Sequence, residues 1–212
     1  MSANHHVQRA VAGRRLGRRL LQLYAGLGLF GLSVALLVRA RLGLDPWDVL
    51  HQGLAARTGL RFGWVLIAVG ACVLLLWLPL RERPGIGTVS NVVVVGLAAD
   101  AALALLPAPA HLAARTGFLA AGIALNGVAT AAYVGARLGP GPRDGLMTGL
   151  AARGYSIRLA RTTIEVAVLA AGALLGGTVG AGTAAYAVSI GPLVHVLLPR
   201  LTVPPPPEGN PV

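Results

Sequence analysis

Residues 38–57 read VRARLGLDPWDVLHQGLAAR, and residues 134–153 read VGARLGPGPRDGLMTGLAAR. The two stretches are identical at 13 of 20 positions when they are aligned at an offset of 96 residues. Matches of Ala, Leu and Gly carry little weight in a chain rich in those residues. The matches that carry weight are those of less common types, Arg41/Arg137, Pro46/Pro142, Asp48/Asp144 and Arg57/Arg153. The chain therefore contains an internal duplication.

Apolar segments flank both copies of this motif. The chain of 212 residues is 55% hydrophobic and only 12% charged, and its mean hydropathy is +0.71. A soluble domain usually carries about 25% charged residues, and a membrane span needs about 20 mostly apolar residues. Six segments approach that length: Leu20–Val38, Phe62–Leu80, Val89–Leu106, Gly117–Ala136, Leu159–Val179 and Thr183–Leu198. The composition therefore predicts a polytopic membrane protein.

A second motif extends the duplication to three spans per copy. Past a slip of one residue, the turn Gly85–Thr88 aligns with Gly180–Thr183. Each copy then reads span, R-L-G-x-x-P-x-D loop, short helix, span, G-x-G-T turn, span. Because three is an odd number, two fused copies must enter the membrane in opposite orientations, as in many secondary transporters. We therefore expect an all-α fold of about six transmembrane helices in two inverted three-helix repeats.

The charge distribution predicts where the units begin and which way they face. We expect a flexible basic N-terminus (1–17), a first repeat (18–107), a second repeat (115–200) and a Pro-rich disordered tail (201–212). With the N-terminus inside, 13 of the 18 Arg residues are cytoplasmic and five are external. Arg bias sets orientation, so both termini are expected in the cytoplasm. The net charge of +11 is explained by these flanking residues rather than by nucleic-acid binding.

The first motif copy has the residues of a helix start. Asp45 suits the N-cap, Pro46 the first helical position, and Asp48 the third position, where a carboxylate complements the helix dipole. The short helix that follows lies either at the membrane interface or partly within the membrane, lining a substrate path. In both copies, we expect the motif arginine to pair with the motif aspartate (Arg41 with Asp48, Arg137 with Asp144). Thr88 and Thr183 are interpreted as N-caps of the third and sixth spans.

Ionisable and amide side chains inside spans are the better functional candidates, because burying them in lipid is costly. These substrate-path candidates are Asp100, Asn126, His195 and Glu165. Arg161 lies one turn before Glu165 and is expected to pair with it. Pro192 follows Gly191 and is expected to break or kink the sixth span.

The motif R-L-G-x-x-P-W-D-V-L-x-x-G-L at residues 41–54, the turn at residues 84–89 and the duplicated layout resemble the YczE/YyaS/YitT group of bacterial membrane proteins. The resemblance covers about residues 18–200 and implies a bacterial inner-membrane location. The second copy departs from the pattern, since Gly141 stands at the place of Asp45 and Arg143 at that of Trp47.

The leading functional hypothesis is a small-molecule or ion transporter of unknown substrate. The alternative is a non-transporting subunit, chaperone or regulator of another membrane complex, and possible partners are a second copy or another membrane protein within the bilayer. No catalytic motif, metal-ligand spacing or cofactor motif is found, so we expect neither an enzyme nor a cofactor. The one cysteine, Cys72, is interpreted as a small buried hydrophobe.

Overall fold

The computed structural model describes residues 2–204, with side chains from residue 16 onward. That part of the chain is helical and contains no strand. The helices are α1 (Ser2–Ala40), α2 (Pro46–Thr58), α3 (Phe62–Leu75), α4 (Trp77–Leu80), α5 (Ile86–Leu105), α6 (Leu112–Gly135), α7 (Pro142–Ala151), α8 (Ile157–Leu174) and α9 (Ala181–Leu201). The all-helical class is therefore confirmed.

Five segments are long and apolar enough to cross a membrane. They are Leu16–Ala40, Phe62–Leu80, Ile86–Leu105, Leu112–Gly135 and Ala181–Leu201. The fifth predicted span corresponds to α8, which is not among them and carries Arg158, Arg161 and Glu165 within its 18 residues. The structure thus supports five of the six predicted spans.

The two short helices begin as their sequences predict. Asp45 is the N-cap of α2, its carboxylate accepts a hydrogen bond of 2.7 Å from the Asp48 N–H, and Pro46 is the first helical residue. Pro142 opens α7 in the same way, but its N-cap is Gly141, which has no side chain to cap the helix. The buried Trp77 anchors α7, because its indole N–H donates to the Pro142 carbonyl at 3.0 Å.

The two loops that precede these helices dock on the G-x-G-T turns of the opposite copy. The Gly87 N–H donates to the Leu138 carbonyl at 2.8 Å, and the Gly182 N–H donates to the Leu42 carbonyl at 2.7 Å. A Cβ at Gly85 would collide with the Leu138 oxygen. Glycine is therefore required here because the backbones touch.

Two arginine side chains also donate hydrogen bonds to these loops, one to each loop. Arg19 donates to the carbonyls of Ala136 and Arg137 at 2.7 and 2.5 Å, respectively. Arg115, which lies 96 residues later, donates to the carbonyls of Ala40 and Arg41 at 2.8 and 2.6 Å. Arg41 and Arg137 both have positive φ angles, 53° and 55°, which turn each chain out of its helix. The same contact is thus made twice, each time between the two copies.

Several details differ from the sequence predictions. The helix α1 begins at Ser2, the flexible N-terminus over 1–17 and the Pro-rich tail stay predictions, and residues 205–212 of that tail lie outside the described residues. Thr88 and Thr183 occupy the third helical position rather than the N-cap, which is glycine in both turns. Each hydroxyl accepts the N–H of its N-cap glycine at 3.3 Å, which explains why threonine follows G-x-G.

Two further expectations are corrected. A break or a kink was expected at Gly191–Pro192; the helix α9 continues through Pro192 and Pro199, so the break does not occur, and a kink stays a prediction. Cys72 is exposed on α3 rather than buried. Exposure of apolar side chains on helices that face lipid is expected, because lipid and not water surrounds them.

Replacing Gly85 by Ala tests the docking of the turns. The added methyl group collides with the Leu138 carbonyl and forces it away from the Gly87 N–H, so we expect the free energy of unfolding to fall by about 1–3 kcal/mol. Unfolding of the purified protein in detergent, followed by circular dichroism against denaturant, measures the change.

The matched control is Gly117→Ala in α6, where an added Cβ meets no atom within 4 Å. This control should be neutral or stabilising, because Ala favours a helix by about 1 kcal/mol over Gly. Equal destabilisation by the two substitutions would contradict the steric account of the turn.

Candidate binding cavity

A cavity of about 500 Å³ lies where the two halves of the chain meet. Small-molecule sites usually measure about 300–1,000 Å³, so its size suits a small ligand. The starts of α2 and α7 form one end of the cavity, and its apolar wall includes Leu66, Val69 and Val73 of α3. The lining is therefore amphipathic and comes from both copies of the motif.

Arg143 links the two copies at the polar end of the cavity. Its guanidinium lies 3.4 Å from the Asp45 carboxylate and 3.8 Å from the Asp48 carboxylate. It also lies over the indole ring of Trp47, with Cζ 5.2 Å from the ring centroid. The Arg143 side chain is 27% exposed, whereas both carboxylates are almost fully buried. One cation thus balances two desolvated anions.

His51 is the second neighbour of Asp48. The imidazole Nδ1 lies 3.0 Å from the Asp48 carboxylate, and both side chains are buried. Burial raises the pKa of Asp48 to about 6, against the lowering effect of Arg143. Burial and the neighbouring Arg143 lower the pKa of His51 to about 3, and burial followed by repulsion from Asp48 raises the pKa of Asp45. The imidazole is therefore neutral and holds Asp48 through a hydrogen bond rather than through a charge.

Asp144, the counterpart of Asp48 in the second copy, has different surroundings. The Tyr133 hydroxyl donates to its carboxylate at 3.2 Å. No Arg or His side chain of the described residues forms an ion pair with Asp144, whose side chain is exposed at the cavity wall. The adjacent Arg143 contacts the carboxylates of the first copy instead. The duplicated aspartates therefore differ, since only Asp48 has a cationic partner.

The four substrate-path candidates occupy three different settings. Glu165 and His195 line the cavity, and Glu165 accepts from Arg161 at 2.9 Å, which confirms the expected local ion pair. Asn126 is buried behind the wall, where its amide donates to Ser33 at 2.9 Å. Its oxygen accepts from the hydroxyl of Tyr186, which does line the cavity, at 2.9 Å.

Asp100 is not among the residues that line the cavity. Its carboxylate accepts the Gly63 N–H at 2.7 Å, at the start of α3. A carboxylate at this position complements the helix dipole and satisfies a free backbone donor. Asp100 therefore fastens α5 to the first turn of α3.

The expected pairs of motif arginine and motif aspartate do not form. Arg41 and Arg137 are exposed, and the described ion pairs include neither of them. Their positive φ angles turn the chain so that their backbone carbonyls, rather than their side chains, make the motif's contacts. The Asp48 partners are His51 and Arg143 instead.

Sequence reasoning missed Arg143, Tyr133 and Tyr186 as residues of the cavity. The signal for Arg143 was present in the departures of the second copy, where Gly replaces Asp45 and Arg replaces Trp47. The two changes compensate each other, because the new Arg contacts both the Asp and the Trp of the first copy. The tyrosines gave no signal, since aromatic residues inside spans are common.

These features define a polytopic helical membrane protein with an amphipathic cavity between duplicated motifs. The chain belongs to the family described as "Family of unknown function (DUF6198)", whose model matches residues 17–199.

Comparison with curated proteins finds relatives that span most of the chain. An uncharacterized protein of Haemophilus influenzae is 41% identical over 177 residues, covering 83% of this chain and 81% of that protein. The uncharacterized membrane protein YczE of Bacillus subtilis is 32% identical over 84% of both chains. YyaS of the same organism is 29% identical over 84% of this chain and 92% of its own length. The expected YczE/YyaS-type family is thereby confirmed, and no solved structure matches the chain.

Replacing Arg143 by Met tests the buried charge cluster. The substitution leaves two desolvated carboxylates without a cation, so we expect a loss on the order of 3 kcal/mol in the free energy of unfolding. Neutralising the carboxylates as well, by adding Asp45→Asn and Asp48→Asn, should restore most of that loss. Denaturant unfolding in detergent measures all three proteins.

Arg161→Met is the matched control, because it makes the same change in a more exposed ion pair, with side chains 61% and 34% exposed. Exposed pairs contribute about 0–1 kcal/mol, so the control should cost little. An equal cost for Arg143→Met and Arg161→Met would refute the cluster's role.

Proposed function

We propose that the protein is a small transporter whose two halves are inverted repeats around the cavity. The observation that supports this most strongly is a ligand-sized cavity lined from both copies of the motif, at the starts of the equivalent helices α2 and α7. Transporters built from inverted repeats bind their substrates where the repeats meet, often beside the ends of short or discontinuous helices. We infer transport of a small solute rather than catalysis.

The duplicated contacts support the inverted arrangement. Gly87–Leu138 and Gly182–Leu42 are equivalent hydrogen bonds, and so are those of Arg19 and Arg115. Each joins one half to the other, as an axis of two-fold pseudosymmetry requires. The two contacts lie at opposite ends of the pair formed by α1 and α6. Arg19, near the start of the span Leu16–Ala40, contacts the end of α6, and Arg115, near the start of α6, contacts the end of α1.

We propose that α8, the fifth predicted span, also crosses the membrane and brings the number of spans to six. Its 18 residues extend over about 27 Å, close to the roughly 30 Å of the hydrocarbon core. Arg158 and Arg161 lie in its first turns, where long side chains reach the membrane surface. Six spans give both termini the same side, and the Arg bias assigns that side to the cytoplasm of a bacterial inner membrane.

The two arginine-bound loops suggest how the cavity could open to one side of the membrane and then to the other. The Arg19 contacts hold the loop of the second copy in place, and the Arg115 contacts hold the loop of the first copy at the other end of the α1–α6 pair. Breaking one set while the other holds would open the cavity to one side at a time. Inverted repeats make the two states similar in energy, because equivalent contacts are exchanged.

A non-transporting partner role is the competing function. It predicts an interior filled by side chains and a surface for another protein, whereas a cavity of about 500 Å³ is present. The two functions also differ in the accessibility of the cavity, which can be measured without knowing the substrate.

The decisive experiment labels a single cysteine in the cavity from each side of the membrane. Cys72 is first replaced by Ser, and Thr130→Cys is then introduced, because Thr130 lines the cavity and is half-buried on α6. An alternating-access transporter should react with a membrane-impermeant maleimide both in intact cells and in inverted vesicles.

Ser33→Cys serves as the control, because Ser33 is fully buried and should react from neither side. Labelling of Thr130→Cys from one side only, or from neither, would reject alternating access in favour of the partner role.

A further inference from the structure

The cavity as a whole has more carboxylates than cations around it. Four carboxylates line it or lie directly behind it, and they are Asp45, Asp48, Asp144 and Glu165. Two guanidiniums, those of Arg143 and Arg161, also line it. Even with His195 counted as a cation, the balance is four to three. The ligand that best fits this cavity is therefore positively charged.

Of the four carboxylates, Asp144 is the one whose negative charge is available to a ligand. Glu165 is engaged with Arg161 at 2.9 Å, and Asp45 and Asp48 share Arg143. Asp144 has the Tyr133 hydroxyl at 3.2 Å and no cation within 4 Å among the described residues. The Asp144 side chain is exposed at the cavity wall, so its carboxylate is open to a ligand in the cavity. A bound cation would be its counter-ion.

Aromatic rings line the same cavity as this carboxylate. Tyr133, Tyr186 and Trp47 all line the cavity, and the Arg143 guanidinium already lies over the Trp47 ring. Aromatic faces attract ammonium and guanidinium groups within about 6 Å of the ring centroid. This wall therefore offers a cationic group both a carboxylate and aromatic rings.

The start of α7 favours an anion, as do the guanidiniums of Arg143 and Arg161. Its N-cap, Gly141, provides no side-chain acceptor, so the free N–H groups carry partial positive charge. Asp144 lies in that first turn and opposes the partial charge with a full negative charge. An anionic ligand would therefore meet the Asp144 carboxylate at the same end of the cavity.

The remaining volume is enclosed by aliphatic side chains. Leu66, Val69 and Val73 of α3 and Val92 and Val95 of α5 form this wall. Burial of an apolar group against it contributes about 25 cal/mol per Å² of area removed from water. A ligand with a charged head and an apolar body fits both parts of the cavity.

We propose that the cavity binds monovalent organic cations, an ammonium or guanidinium group on a small apolar body, with Asp144 as their counter-ion. The inference rests on the proposed transport function, for which it names the substrate class.

The test compares two probes that differ in charge but have a phenyl ring and a tetrahedral head group in common. Phenyltrimethylammonium and benzenesulfonate are titrated into the full-length protein in a non-ionic detergent, and binding is measured by isothermal titration calorimetry. We expect saturable one-to-one binding of the cation and at least tenfold weaker binding of the anion.

Three variants assign the binding to Asp144. Asp144→Asn should weaken binding of the cation at least tenfold, and Asp144→Glu should retain most of it. Asp100→Asn removes the same charge outside the cavity and keeps an acceptor for the Gly63 N–H, so binding should not change. If Asp144→Asn fails to fold, the comparison of the two probes on the unaltered protein still decides whether the cavity binds cations in preference to anions.

Equal or tighter binding of benzenesulfonate, no binding of the cation, or full binding by a folded Asp144→Asn variant would overturn the proposal. Failure here is distinct from failure of transport. Cation binding with one-sided labelling of Thr130→Cys supports the ligand class and rejects transport, whereas two-sided labelling without cation binding rejects the ligand class alone.

Discussion

The contact between each R-L-G loop and the G-x-G-T turn of the other copy is the constraint on which the architecture depends. Gly87 and Gly182 donate to the carbonyls of Leu138 and Leu42, and neighbouring glycines allow the backbones to touch. Backbone groups at membrane depth must be satisfied within the protein. Reciprocal docking satisfies the Gly87 and Gly182 amides at the starts of α5 and α9, and it fixes where α2 and α7 begin. The starts of α2 and α7 form the polar end of the cavity.

The two copies of the motif differ in sequence on both sides of the motif proline, and these differences determine which charged side chains lie at the polar end of the cavity. In the first copy Asp45 and Trp47 flank Pro46, whereas Gly141 and Arg143 flank Pro142 in the second. Because the two starts face each other, the changed residues meet, and Arg143 contacts both Asp45 and Trp47. An exact repeat would have brought two Asp–Trp pairs together without a cation. The asymmetry stabilises the first copy's carboxylates and leaves Asp144 without a cationic partner.

The sequence predicted those parts of the fold that depend on local or repeated patterns. Helical class, the starts of α2 and α7 and the Arg161–Glu165 pair follow from composition, capping chemistry and helical spacing. The pairing of Asp48 did not follow, because it depends on which loops face each other across the molecule. Asp100 shows the same limit, since its role as a cap for α3 depends on the packing of α3 against α5. Intramembrane position alone does not reveal whether a side chain reaches a cavity or a helix end.

The central claim is that the two halves enter the membrane in opposite directions, and membrane sidedness tests it most directly. Leu60 and Tyr155 are exposed residues that follow α2 and α7 at equivalent places, 56% and 63% exposed. Single cysteines at these positions, in a Cys72→Ser background, would be treated with an impermeant maleimide in intact bacterial cells and in inverted vesicles. The account predicts that Leu60→Cys reacts in cells and Tyr155→Cys only in inverted vesicles. Reaction of both from the same side would contradict it.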